Sequence, residues 1–137
     1  EQGSGRIRRN ADGVSFTDAQ GNSADIFQDF SFFVTVIDQD ENLDVDIQDT
    51  TNVLIENLDN GDSETIVLTE TLTDSSIFIN TAAIPILNQP ANADDGILQG
   101  QVGDMVQVTY TDNEDPDDMI NSQVMIDAAP IDGWLVR

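Results

Sequence analysis

Cysteine, histidine and lysine are all missing from this 137-residue sequence. Without cysteine there is no disulfide, no thiolate metal site, no covalent haem attachment and no cysteine nucleophile. Without histidine the commonest zinc ligand and general base is gone, which excludes serine-histidine catalysis. Without lysine, spontaneous lysine-asparagine isopeptide bonds cannot form. Aromatics are scarce, with one Trp, one Tyr and six Phe. No apolar run approaches the roughly 20 residues of a membrane helix, and no cleavable signal is visible. The absence of a long apolar helix after Glu1 also argues against a type IV pilin. A first residue other than Met leads us to expect a processed or excised mature fragment.

Positive charge is nearly absent too. Four arginines face 27 acidic residues, for a formal net charge of -23. Phosphate binding needs a basic patch to release counterions, so nucleic acid is not the expected partner. Cations are. The plain alternative is a solvated acidic shell, as in salt-adapted proteins, where ions screen the self-repulsion.

What the chain does contain is a period of two, over a length that suits one domain. In "DFSFFVTVID" Phe32, Val34 and Val36 alternate with Phe33, Thr35 and Ile37, the pattern of a central strand covered on both sides. Apolar runs around Asn60-Gly61 predict a hairpin with strands near 51–57 and 64–71. "GDMVQVTYTD" points Val106, Val108 and Tyr110 inward, and "NSQVMIDA" repeats the pattern through Val124 and Ile126. "GVSFTDAQGNSADIF" reads as two short strands around Gly21. Residues 82–103 carry two of the four prolines and read as connection, with one short strand at Ile97-Leu98. No helical period is present. The expected fold is all-β, a Greek-key β-sandwich of about seven to eight strands.

Two acidic clusters stand out, each starting where an apolar run ends. The first, "VIDQDENLDVDIQD", sets Asp38, Asp40, Asn42, Asp44 and Asp46 at alternate positions. The second, "YTDNEDPDD", contains Asp112, Glu114, Asp115, Asp117 and Asp118. Two carboxylates about 4 Å apart repel by roughly 4 kcal/mol at an effective dielectric near 20, so converging acids either splay into water or enclose a cation. Calcium fits these oxygen-only donors better than zinc or copper. An EF-hand does not fit: Leu43 occupies the glycine position, Asp49 replaces the final Glu, and the flanks read as strand. If the two strands before the clusters run side by side, both clusters meet at one pole.

The strings "FFVTVIDQDENLDVD", "SETIVLTETLTDSSIF" and "GILQGQVGDMVQVTYTDNEDPDD" resemble, in this order, a bacterial and archaeal immunoglobulin-like repeat of large exported and surface proteins. The resemblance covers roughly residues 13–128. It implies an immunoglobulin-like, cadherin-like sandwich at the cell surface whose acidic loops hold Ca2+ beside a neighbouring module. Carried over residue by residue, it gives ligand roles to Asp38, Asp40, Asn42, Asp44, Asp112 and Asp115. Glu70, at a strand end, is a further candidate or else an exposed strand residue.

The expected organisation is a basic N-terminal segment at 1–12, the sandwich at 13–128 and a C-terminal tail at 129–137. Arg6, Arg8 and Arg9 are candidate assembly residues, meeting the acidic pole of a second copy head to tail, with strand donation as the device. Their plain reading is an idle tail. Trp134 looks too apolar for an idle terminus, and packing onto its own domain is the ordinary alternative. Together these features predict a structural subunit or repeat of an extracellular filament, with no enzymatic activity. The alternative is a carbohydrate-binding or adhesive module, for which Trp134 and Tyr110 are the available aromatics.

Overall fold

The computed structural model describes residues 13–38, 44, 46–112 and 115–128, with backbone alone for 112 and 115–118. Arg6, Arg8, Arg9, Asp40, Asn42 and Trp134 therefore lie outside the described residues.

Among the described residues ten strands form: β1 Gly13–Thr17, β2 Ile26–Phe27, β3 Ser31–Ile37, β4 Thr50–Asn57, β5 Ser63–Glu70, β6 Ile77–Ile79, β7 Ile84–Leu87, β8 Leu98–Gln99, β9 Met105–Asp112 and β10 Asp115–Asp127. No helix occurs among the described residues, so none is long and apolar enough to cross a membrane. The strands make one mixed open sheet in the order β2-β10-β9-β4-β5-β6-β3-β7-β8, with β1 on β3. β1 also packs close to β9 and β10 without pairing with either, so the sheet curls back over a single core.

The alternation in sequence sets which face goes inward. Val106, Val108 and Tyr110 of β9 and Phe32, Val34 and Val36 of β3 are all buried, together with Val53 and Ile55 of β4. Each such side chain, moved from water into the core, contributes about 1.5 to 3 kcal/mol. β-branched and aromatic residues dominate because they fit a pleated, half-buried surface. Gly61, at φ 82°, supplies the left-handed residue that closes the β4–β5 turn, and its N–H donates to Asn57 O at 2.9 Å.

Three expectations change. The strands among the described residues number ten, against the expected seven to eight. The 82–103 segment holds β7 as well as β8: Pro85 sits opposite Ser31, and Ile86 rather than Pro85 donates to Phe30 O at 2.8 Å, so the missing N–H costs the ladder nothing. The second acidic cluster is also not a long loop. β9 runs to Asp112 and β10 starts at Asp115, with a register shift between Asp115 and Met119 that accommodates Pro116.

Candidate functional site: two acidic poles

Strand directions sort the acids into two groups. β3, β5 and β9 end at one pole, where β1, β4, β6 and β10 begin, because Ile37 pairs with Gly13 and Ile77, Glu70 with Phe78, and Asp112 with Asp115. Asp38, Asp44, Glu70, Asp112 and Asp115 thus share this first pole. The strands that lead into the two clusters stop at this same end of the sheet.

At this pole the described carboxylates are held by the protein's own donors. Asp38 is fully buried, and the Tyr110 hydroxyl donates to its Oδ2 at 2.7 Å. Glu70, 1 % exposed, accepts from Asp49 N at 3.1 Å on one oxygen and from Ser76 N at 2.8 Å on the other. Ser76 adopts φ 61°, a left-handed conformation that costs a non-glycine residue about 1 kcal/mol. In return its N–H reaches Glu70 and its carbonyl accepts from Asp38 N at 3.1 Å. Asp44 Oδ1 accepts from Asp46 N at 2.9 Å, and Asp49 Oδ2 accepts from Asp44 N at 3.0 Å, which closes the loop on itself beside the Asp49–Glu70 contact. Glu70 is therefore not an exposed strand residue.

Oxygen is the only donor atom here, which fits calcium. Among the described residues, however, no three acidic side chains converge closely enough to hold a metal ion. Asp40 and Asn42 would have to complete such a set.

The opposite pole was not picked out from sequence. Asn57, 1 % exposed, is its hub: Nδ2 donates to Gln99 O at 3.1 Å and to Asp104 Oδ2 at 2.9 Å, while Oδ1 accepts from Asp59 N at 2.9 Å. Asp62, also buried, accepts from Asn92 N at 3.1 Å and from Gln99 N at 2.9 Å. Glu64 is 1 % exposed; Gly96 N donates to its Oε1 at 2.7 Å, but its buried Oε2 has no donor. Burial is the main reason the Glu64 carboxyl is pushed up to about 7; the Asp95 carboxyl and Asp62 add to it, against the Gly96 and Asp95 backbone N–H groups. Asp95 moves the other way: burial would raise it, but hydrogen bonds from Ile97, Gln99, Glu64 and Asn92 outweigh that and hold it below the usual carboxylate range. A parity signal existed in the sequence. Glu64, Ile66, Leu68 and Glu70 share one face of β5, and Leu68 marks that face as core.

An open cavity of about 470 Å³ lies at this second pole, lined by Asp59, Asn60, Asn88, Gln89, Gln101 and Asp104 among others. Among the described residues no aromatic side chain lines it. Tyr110 is fully buried, which removes it as a sugar-stacking platform. In comparisons with known proteins, neither a family model nor a curated relative matches the chain.

Proposed function

We propose that this chain is a structural unit of an extracellular filament or repeat-containing surface protein, an immunoglobulin-like, cadherin-like sandwich whose copies join head to tail. The observation that carries this reading is the edge of β10. That strand runs from Asp115 to Asp127, yet β2 pairs only with Ile126 and Asp127, so the outer edge of Met119–Met125 has no ladder partner among the described residues. An edge of that length accepts an extended segment through main-chain hydrogen bonds.

Charge favours the N-terminal segment of a second copy as the occupant. No basic side chain occurs between residues 13 and 128, whereas Arg6, Arg8 and Arg9 precede β1. Opposite charge steers such an encounter and suppresses wrong registers.

Calcium at the first pole belongs to the same reading. Asp112 and Asp115 are cross-strand partners, a like-charge pairing that is unfavourable without a counterion, and no basic residue of the body is available to supply one. A divalent ion held by Asp38, Asp40, Asn42, Asp44, Asp112, Asp115 and Glu70, or a subset, would discharge the pole and stiffen the junction.

A glycan-binding module is the less favoured reading, because of the two aromatics available to it Tyr110 is buried. Catalysis is not part of the proposal.

The test is particle size by light scattering and electron microscopy, for the full chain and for a chain lacking residues 1–12, each in millimolar calcium and in chelator. Fibres of the full chain in calcium, lost on deletion, are the expected result. Full-length protein that stays monomeric in both buffers overturns the assembly reading.

A further inference from the structure

The second pole poses a problem of charge. Across residues 13–128 there is no Lys, Arg or His to neutralise a buried carboxylate. Most buried acids solve this with backbone N–H donors, and Glu70 has one on each oxygen. Glu64 receives the Gly96 N–H on Oε1, with the Asp95 N–H as a lesser aid, while Oε2 is buried with no hydrogen-bond partner and the Asp95 carboxyl lies beside the group. Leaving an ionised oxygen in that position carries the full desolvation cost.

The segment that brings Asp95 there is strapped along β5. Asp94, at φ 56°, donates its N–H to Ser63 O at 2.9 Å and accepts from Thr65 N at 2.9 Å on Oδ1. Asn92 N donates to Asp62 Oδ1 at 3.1 Å, and Asp95 Oδ2 accepts from Gln99 Nε2 at 2.8 Å. These bonds occupy a stretch of β5 that β6 does not reach, since β6 pairs with Thr69 and Glu70 alone. The strap therefore covers an otherwise open sheet edge. Beside it runs a groove of about 220 Å³ lined by Ile66, Val67, Asn80, Ile84 and Gly96 among others.

We propose that Glu64 and Asp95 share one proton, and that this proton clamps the strap from Asn92 to Gly96 over the open edge of β5. With the proton present, Glu64 is a neutral acid whose O–H donates to the Asp95 carboxylate, so both oxygens of Glu64 are used. When the proton leaves to solvent, two carboxylates face each other with Asp62 nearby, Asp94 on the strap adds a further negative charge, and no cation of the body offsets them. Repulsion then acts on the strap, whose residues 92–96 are exposed, rather than on the packed β5 core. Release uncovers the Ser63 carbonyl and the Thr65 N–H and extends the groove along the strand. The shift of Glu64 toward neutrality, caused mainly by burial, places this release near physiological pH.

Nuclear magnetic resonance on the full chain tests this. The carboxyl carbon of Glu64 is followed from pH 4 to 9, and amide exchange of Thr65, Asp94 and Gly96 is measured over the same range. Glu64→Gln keeps an acceptor for Gly96 N and a donor for Asp95 but cannot ionise. The expected result is a Glu64 midpoint near neutrality, with exchange at these amides rising at least tenfold beyond the intrinsic pH effect on crossing it, and a flat protection profile in Glu64→Gln. A Glu64 midpoint below pH 5 overturns the proposal, as does equal protection in the two proteins across the range. A midpoint driven down by millimolar calcium also overturns it, because a metal ion would then occupy the place given to the proton. If Glu64→Gln does not fold, the wild-type carboxyl titration and exchange decide alone.

Discussion

The Tyr110 hydroxyl donates to Asp38 Oδ2 at 2.7 Å, and both residues are fully buried although 72 positions separate them in sequence. The bond ties the end of β3 to the end of β9 across the core. Removing one partner of a buried hydrogen bond costs about 1 to 3 kcal/mol, because the group left behind stays desolvated.

Tyr110→Phe removes that donor while keeping the ring. Urea unfolding should show a loss of about 1 to 3 kcal/mol with an unchanged m-value. An unaltered midpoint would show the Asp38 carboxylate to be satisfied without Tyr110.

Glu70→Gln places an NH2 group where two N–H donors, from Asp49 and Ser76, now point at carboxylate oxygens. One of the two must lose its acceptor. We expect a destabilisation of about 2 to 3 kcal/mol, read as a fall of several degrees in thermal midpoint. Loss of the bond to Ser76 would also free its left-handed turn, visible as faster exchange of the Ser76 amide.

Gly100→Ala tests packing at the second pole. A methyl group there would meet Ile126 Cδ1 at 2.6 Å and Asn57 Nδ2 at 2.9 Å, closer than real contacts allow. Overpacking of this kind costs about 1 to 3 kcal/mol, so denaturant unfolding should show a clear loss for an otherwise helpful glycine-to-alanine change.

Stability should depend on pH in an unusual direction. Glu64 ionises at about 7 in the folded protein against an ordinary 4.5, so the folded state holds a proton that the unfolded chain has released. Its contribution is complete below pH 4.5 and fades as pH rises through about 7. Thermal midpoints across this window should fall by the equivalent of roughly 1 to 3 kcal/mol, and Glu64→Gln should flatten that slope.

Much of the fold was legible because period two decides faces. Val106, Val108 and Tyr110 go inward as their alternation requires, and the Asn60-Gly61 signal marks a true turn. β7 was hidden by Pro85, which reads as a breaker unless the partner strand leaves that position unbonded. That Asp38, Asp44, Glu70, Asp112 and Asp115 lie toward the same end of the sheet followed from where the strands stop. Buried carboxylates were the blind spot. Glu64 and Glu70 occupy core-facing positions because Gly96, Asp49 and Ser76 bring N–H groups to them, and such donors are backbone atoms that leave no mark on residue identity.

The parallel pairing of Ile26 with Ile126 joins two short stretches a hundred residues apart, and β4 likewise waits for β9 before its second edge is filled. Such closures are entropically slow, so folding should take milliseconds to seconds rather than microseconds. During synthesis the early strands would emerge without their eventual neighbours and stay exposed until β10 arrives. A ribosome-stalled chain ending before Met105 should therefore be readily proteolysed, its order waiting on β9 and β10.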